Sequence, residues 1–277
     1  MKSIIGALAC LSYALGTKIW MGPDLQLWKD PGAELKAILS TTGAATWTDT
    51  LNMLEVSGGG YHWHERLFAT LNASEAQSVA DFFNSGAGKH LQVSIEAGGY
   101  LCPGSAVSNK TLAQIQLYLN AGGRIDRFML ESIFSRTMTG PQCKAMHPTW
   151  TFEDVAEQAA DYIDLLAPHI EKVSGKPLEI GLIDALPHFA AGQYKADPTY
   201  QPQHGPDGLG QIGDAVSALQ TALAARTSGR ELAIYWADCP LDYSLHMPNG
   251  TGFDKVVYAL HKVLPPLGVQ AGKIFNT

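Results

Sequence analysis

The stretch Phe128-Met129-Leu130-Glu131-Ser132 decides the predicted fold, because an apolar run ends there in a carboxylate. Parallel strands that are buried on both faces have near-continuous apolar sequences. Polar groups that follow the carboxyl ends of such strands form the active sites of (β/α) barrels. Apolar runs with similar endings, each leading into a loop with Gly, Pro or aromatic residues, occur at residues 19–24, 51–56, 91–96, 180–184 and 233–238.

Helical patterns separate these apolar runs. The clearest helix is predicted at residues 151–173, where Thr151 and Asp154 supply a start signal and Gly175 a stop signal. A second helix is predicted to begin at Ser74, with Gln77 three residues later as in a capping box. The alternation of strands and helices predicts parallel βαβ units.

The predicted architecture is an α/β fold with one elaborated face. Loops that follow strands are long, whereas the connections that lead back to the next strand are short, which is typical of a barrel. We predict a single (β/α) TIM-type barrel domain at residues 17–277, incomplete or open after strand 7. Its strands are predicted at residues 19–24, 50–56, 91–96, 125–131, 178–184, 232–238 and 271–276.

Residues 1–16 allow two interpretations. Lys2, an apolar run and the small residues around Gly16 match a secretory signal peptide. The alternative is an N-terminal segment that packs under the barrel. A signal peptide implies a secreted or periplasmic protein, in which a Cys102–Cys143 disulfide is plausible, and a retained segment implies a cytoplasmic one. No apolar run reaches the about 18 residues that a membrane span needs.

Composition restricts the ligand classes. The chain has 277 residues, of which 46% are hydrophobic and 16% charged, and its net charge is −7. This balance, without Lys/Arg clusters, argues against a nucleic-acid groove or an anionic membrane surface. A neutral ligand such as a carbohydrate fits it, and no cofactor is predicted. The sequence leaves the oligomeric state open.

Several short motifs give the chain a resemblance to a known class. They are Trp20-Met21-Gly22-Pro23, Glu96-Ala97-Gly98, Cys102, Gly122-Gly123 and Leu130-Glu131-Ser132. With these motifs the chain resembles glycoside-hydrolase-type TIM barrels and is similar to uncharacterised bacterial and metagenomic barrel proteins. The resemblance implies an acid/base glutamate at the end of strand 4, which is Glu131. The class usually has Asn before this glutamate, where this chain has Leu130.

The predicted function is therefore a hydrolase that cleaves a glycosidic bond with paired carboxylates. Such cleavage needs one protonated and one ionised carboxyl group. Glu131 is predicted as the general acid, with Asp184 or Asp238 as base or nucleophile and Glu96 as a further contact. Side chains predicted to bind the substrate at the barrel mouth are those of Trp63, Tyr100, His62, His188 and Trp236.

Two other functions stay open. His62 and His64 lie two residues apart, and an H-x-H segment can bind one metal ion, with His188 and Asp238 as further ligands. A metal-dependent barrel hydrolase is thus the first alternative, although the main interpretation predicts no metal. The second is a non-catalytic barrel that binds glycans, since a fold does not imply an activity.

Overall fold

The structure is a computed structural model that carries a seven-stranded sheet. It describes residues 18–22, 51–98, 104–134, 149–184, 212–226, 228–238 and 259–274. The strands follow one another across the sheet in chain order. The pairs β1–β2, β2–β3, β5–β6 and β6–β7 are all parallel. The strands are β1 Trp20–Met21, β2 Gly60–His64, β3 Gln92–Gly98, β4 Arg127–Glu131, β5 Glu179–Asp184, β6 Leu232–Asp238 and β7 Gln270–Ile274.

Helices stand between the strands, so the predicted α/β class with a parallel sheet is confirmed. Closure of this sheet into a TIM-type barrel stays a prediction. A π-helical turn at Ala259–Val263 and a 3-10 turn at Pro265–Leu267 lead into β7. The helices are α1 at residues 51–57, α2 Glu65–Phe68, α3 Ala73–Asn84, α4 Gly104–Asn120, α5 Phe152–Ser174 and α6 Ile212–Ala225.

The predicted second strand at residues 50–56 is wrong, because residues 51–57 form helix α1. Leu51 and Leu54, three residues apart, are buried, whereas Val56 is 60% exposed, and this spacing is helical rather than extended. Gly58 ends the helix in the left-handed region at φ 68°. The true strand, β2, begins at Gly60 and contains the segment His62-Trp63-His64, which lies beyond the predicted strand.

The start of α3 also differs from its prediction. Asn72, not Ser74, is the N-cap: its side chain accepts a hydrogen bond from the backbone N–H of Glu75 at 3.0 Å. The Glu75 carboxylate in turn accepts from the Asn72 N–H at 3.0 Å, which completes a capping box. Helix α5, by contrast, begins as predicted, with the Asp154 carboxylate accepting from the Thr151 N–H at 2.7 Å.

The chain divides into two compact units. The first contains residues 1–97, 109–128 and 167–178, and its core holds an aromatic cluster between β2 and the helices. Trp63 lies at the centre of this cluster, with ring centroids 5.2 Å from Phe83 and 5.4 Å from Phe68. Phe68 in turn lies 4.7 Å from Tyr118. Edge-to-face contacts of this kind hold one face of β2 against α2 and α3.

A buried carboxylate ties together the amino-terminal ends of two strands of the first unit. Asp126, which precedes β4, accepts from the Val93 N–H of β3 at 2.7 Å. Its two oxygens also pair with Arg124 at 3.1 Å and with Lys176 at 2.7 Å. A buried carboxylate is stable only with such partners. These contacts hold the amino-terminal ends of β3 and β4 together.

The second unit contains residues 98–108, 129–166 and 179–277. In its sheet, Ile180 of β5 pairs with Leu232, but the next residue, Gly181, pairs with Ile234. Ala233 is thus an extra residue in β6, a β-bulge. Beyond the bulge, the register runs Ile183 with Trp236 and Asp184 with Ala237.

Candidate active site

Glu131 ends β4 with a half-buried side chain. The next residue, Ser132, is buried and has φ 51°, the left-handed region that residues other than Gly seldom adopt. Its N–H donates to the Ile183 carbonyl of β5 at 2.6 Å. The backbone is therefore locked to the neighbouring strand immediately after the carboxylate. Strained residues of this kind cluster at functional sites.

A second unusual backbone conformation lies against Glu131. Gly98, the last residue of β3, has φ 134°. A Cβ atom at this position would lie 3.3 Å from the Glu131 nitrogen and 3.2 Å from Cγ2 of Ile133. The positive φ and these tight contacts together favour glycine at this position. Gly98 and Ser132 thus hold the Glu131 backbone from two sides.

Strand register decides which carboxylates share a face with Glu131. A Cβ on Gly181 would meet the Met129 sulfur at 2.2 Å, so these two residues point to the same face of the sheet. Because side chains alternate along a strand, Glu131 and Ile183 lie on that face too. Ile183 pairs with Trp236, and Asp238 follows Trp236 by two residues. Glu131, Trp236 and Asp238 therefore lie on one face.

Asp184 lies on the opposite face. It pairs with Ala237, the neighbour of Asp238, and alternation turns the two aspartates to different sides. The Asp184 side chain is completely buried, whereas that of Asp238 is partly exposed. The Tyr235 hydroxyl donates to the Asp184 backbone carbonyl at 2.9 Å, which adds to the packing on that side. Of the two predicted partners for Glu131, only Asp238 shares its face.

Trp236 is a buried residue on the same face of the sheet as these carboxylates. Its side chain is 6% exposed and lies over Gly272 of β7, where a Cβ would be 2.5 Å from the indole Cδ1. Glycine at position 272 therefore makes room for the indole ring. The sequence predicted Trp236 as a substrate contact, and the structure places it on the face of Glu131 and Asp238.

In the first unit, a separate polar cluster lies on β2 and β3. The His62 ring contacts the Ser94 hydroxyl through Nδ1 at 2.9 Å and the Glu96 carboxylate through Nε2 at 3.1 Å. The register pairs His62 with Ser94 and His64 with Glu96, which puts all four on one face. Sequence reasoning selected His62 and Glu96 separately and missed Ser94. The alternation of Tyr, His, Trp and His in residues 61–64 is the signal that could have found this face.

Two other predicted residues of β2 have structural contacts. His64 is the N-cap of α2, where its Nδ1 accepts from the Arg66 N–H at 3.2 Å and lies 2.9 Å from the Glu65 carboxylate. Trp63 points to the face opposite His62 and is 4% exposed in the aromatic cluster. Within the described ranges, no group of three or more His, Cys, Asp or Glu side chains is placed to hold a metal ion.

Some predicted features fall outside the described residues. These are Tyr100, His188, the Cys102–Cys143 pair and residues 1–16. In the part of the chain that the structure describes, no helix is long and apolar enough to cross a membrane.

Comparison with family models, with curated proteins and with solved structures finds no match for this chain. The sheet order and the two polar clusters are therefore the basis for a functional proposal.

Proposed function

We propose that the protein is a carbohydrate-active hydrolase that cleaves a glycosidic bond with Glu131 and Asp238. The observation that carries the proposal is the common face of these two carboxylates at the carboxyl ends of β4 and β6, with Glu131 held between Gly98 and Ser132. Chemistry at this end of parallel strands is typical of barrel enzymes. The resemblance of the sequence to glycoside-hydrolase-type barrels supports the same class.

The two carboxylates take different roles. Met129 and Ile183 flank Glu131 on its face, and apolar neighbours disfavour a charged group. Glu131 is therefore the proton donor to the leaving oxygen. Asp238 is partly exposed and acts as the ionised base that takes a proton from the attacking water. The water oxygen bonds to the anomeric carbon while the glycosidic bond breaks, and the leaving group departs with the proton of Glu131.

The register favours a water molecule over a covalent nucleophile. Two strand intervals of about 4.8 Å separate Glu131 from Trp236, and Asp238 lies about 7 Å further along β6. The two backbones are thus about 12 Å apart, which is too far for the about 5–5.5 Å between the carboxyl groups of retaining enzymes. Side chains that extend toward each other would bring the carboxyl groups into the about 6.5–9.5 Å that leaves room for a water. We therefore expect hydrolysis with inversion at the anomeric carbon, which NMR of the first-formed product anomer measures. A first product with retained configuration would contradict Asp238 as a base.

Substitution of the carboxylates tests the proposal. Glu131→Gln should lower kcat by about 10²–10⁴ on oligosaccharides, the usual contribution of a general acid. The loss should be much smaller on dinitrophenyl glycosides, because their leaving group needs no proton. Asp238→Asn should lower kcat on both substrate types, because both need the activated water.

Glu231→Gln is the matched control, since Glu231 is exposed at the opposite end of β6. It should leave kcat unchanged. If the wild-type protein hydrolyses no member of a broad panel of oligosaccharides and aryl glycosides but binds some of them, the protein is a glycan-binding one. Full activity of the folded Glu131→Gln variant would remove Glu131 from the mechanism.

A further inference from the structure

The cluster of Ser94, His62 and Glu96 in the first unit has no part in the chemistry proposed above. Its three side chains form one hydrogen-bonded chain, with distances of 2.9 Å and 3.1 Å on the two sides of the imidazole. Such an arrangement is common in nucleophilic catalysis, where serine attacks the substrate. Burial contradicts that role here, because Ser94 is completely buried.

The exposed fraction of the three hydrogen-bonded residues increases from Ser94 through His62 to Glu96. Ser94 is fully buried, the His62 side chain is 12% exposed, and the Glu96 side chain is 18% exposed. Glu96 is therefore the member of the cluster that a ligand can reach. His62 and Ser94 lie behind it and act on a ligand only through Glu96.

The partners of His62 fix its tautomer. An ionised carboxylate only accepts hydrogen bonds, so Nε2 of His62 must carry a hydrogen and donate it to Glu96. The Ser94 hydroxyl can donate to an unprotonated Nδ1 or accept from a protonated one, so it suits both states of the ring. The His62 N–H therefore holds one oxygen of Glu96 in place, and the Ser94 hydroxyl holds the His62 ring.

The opposite face of β2 makes this arrangement rigid. Tyr61 and Trp63 alternate with His62 along the strand and pack into the aromatic cluster with Phe83, with ring centroids at 6.0 Å and 5.2 Å. A binding group is most effective when its neighbours lock its orientation before the ligand arrives. The cluster therefore has the support that a ligand-binding side chain requires.

Charge on the same face indicates the ligand class. Trp20 pairs with Gly60, two residues before His62, and the fully buried Arg127 guanidinium lies 4.5 Å over the Trp20 ring. The face therefore carries a cation and a carboxylate together, and a single charge does not dominate it. A neutral ligand with hydroxyl donors suits such a face, because it can donate to the carboxylate without bringing a charge of its own.

We infer that Glu96 is a ligand-binding carboxylate that accepts a hydrogen bond from a hydroxyl group of a neutral sugar, and that His62 is its positioning residue. The inference extends the proposed carbohydrate function, on which it rests for the ligand class. It assigns a binding role to a group of residues distinct from the carboxylates that carry out the hydrolysis.

The test uses the full chain with isotope-labelled histidine in the Glu131→Gln background, which prevents turnover. The probes are the methyl glycosides of glucose, galactose, mannose and xylose, with glucosamine and gluconate as charged counterparts. At least one methyl glycoside should shift the ring signals of His62, and its bound form should keep the hydrogen on Nε2. Glu96→Gln should raise the Kd of that glycoside about 10- to 100-fold, the usual loss for a hydrogen bond to a charged group.

His90→Gln is the matched control, since His90 is exposed and precedes β3 at the end opposite Glu96, and it should leave the Kd unchanged. The inference is overturned if no methyl glycoside shifts the His62 signals, if glucosamine or gluconate binds more tightly, or if Glu96→Gln binds normally. If the wild type hydrolyses glycosides and any of these results is obtained, the inference about Glu96 is wrong but the proposed hydrolase function is not. If a methyl glycoside binds at Glu96 but the wild type hydrolyses nothing, the inference about Glu96 holds and the proposed hydrolase function is wrong.

Discussion

Gly98 shows how single residues fix the position of the Glu131 backbone. At φ 134° a residue with a side chain is strained whatever the surrounding space. A Cβ would also lie only 3.2–3.3 Å from Ile133 and Glu131, so these neighbours would have to move by a few tenths of an ångström. Gly58 is a useful comparison, because it has φ 68° but no atom within 4 Å of a built Cβ.

We therefore expect Gly98→Ala to be the more harmful of two similar substitutions. Gly58→Ala should lower the free energy of unfolding by about 1 kcal/mol, the usual cost of a left-handed alanine. Gly98→Ala should lower it by about 1–3 kcal/mol from strain and should also displace the Glu131 backbone. Urea unfolding and the kcat for glycoside hydrolysis measure the two effects. Equal losses of kcat in both variants would show that Gly98 has no special role beside Glu131.

At this scale the sequence predicted where a residue lies along a strand. Glu131 was predicted to end a strand because it ends an apolar run, and it is the last residue of β4. Its role as an acid stays a prediction. The choice between Asp184 and Asp238 could not be made, because it depends on which face each one occupies. Ser94 was missed because a buried serine in an apolar strand has no pattern of its own until its cross-strand partner, His62, is known.

Among the elements, α3 offers a direct test of its start. The capping box of Asn72 and Glu75 satisfies two backbone N–H groups that would otherwise lack partners. Asn72→Ala should lower the free energy of unfolding by about 1 kcal/mol. Ser74→Ala, at the position that the sequence predicted as the N-cap, should change it by less than about 0.5 kcal/mol. Equal effects of the two substitutions in urea unfolding would contradict the observed cap.

The predicted second strand shows why a helix could be mistaken for a strand. Residues 51–56 are an apolar run of strand length, and short runs of this kind do not separate a strand from a helix. The buried pair Leu51 and Leu54 fits the helical period. In residues 60–64, aromatic side chains that face the core alternate with histidines that are partly exposed. The histidines are polar, so this short stretch was not recognised as a strand. The strands with longer apolar runs, from β3 to β6, were predicted within a few residues.

For the whole molecule, burial of Tyr118 links stability to alkaline pH. Desolvation by burial raises the pKa of the Tyr118 hydroxyl far above its usual value of about 10. The folded state therefore keeps this proton at a pH where the unfolded chain releases it. The stabilising contribution is complete below about pH 10 and is lost as the pH rises further.

We expect the free energy of unfolding to fall above pH 10 with a contribution from Tyr118 of about 1.4 kcal/mol per pH unit. Tyr118→Phe should remove this contribution and give a shallower alkaline decline. At neutral pH the variant should be less stable by about 1 kcal/mol, because it loses the hydrogen bond from the hydroxyl to the Arg124 carbonyl at 3.0 Å. Chemical denaturation at several pH values measures both effects. Parallel pH curves for the two proteins would contradict the assignment.

The extra residue Ala233 has an evolutionary consequence. Loss of its codon would leave Leu232 paired with Ile180 and Ile234 with Gly181, now as consecutive pairs of a regular ladder. Asp238 would stay on the face of Glu131, because every pair beyond the bulge would keep its register. Descendants of this chain can therefore lose Ala233 by an in-frame deletion and still keep the two carboxylates of the proposed reaction on one face.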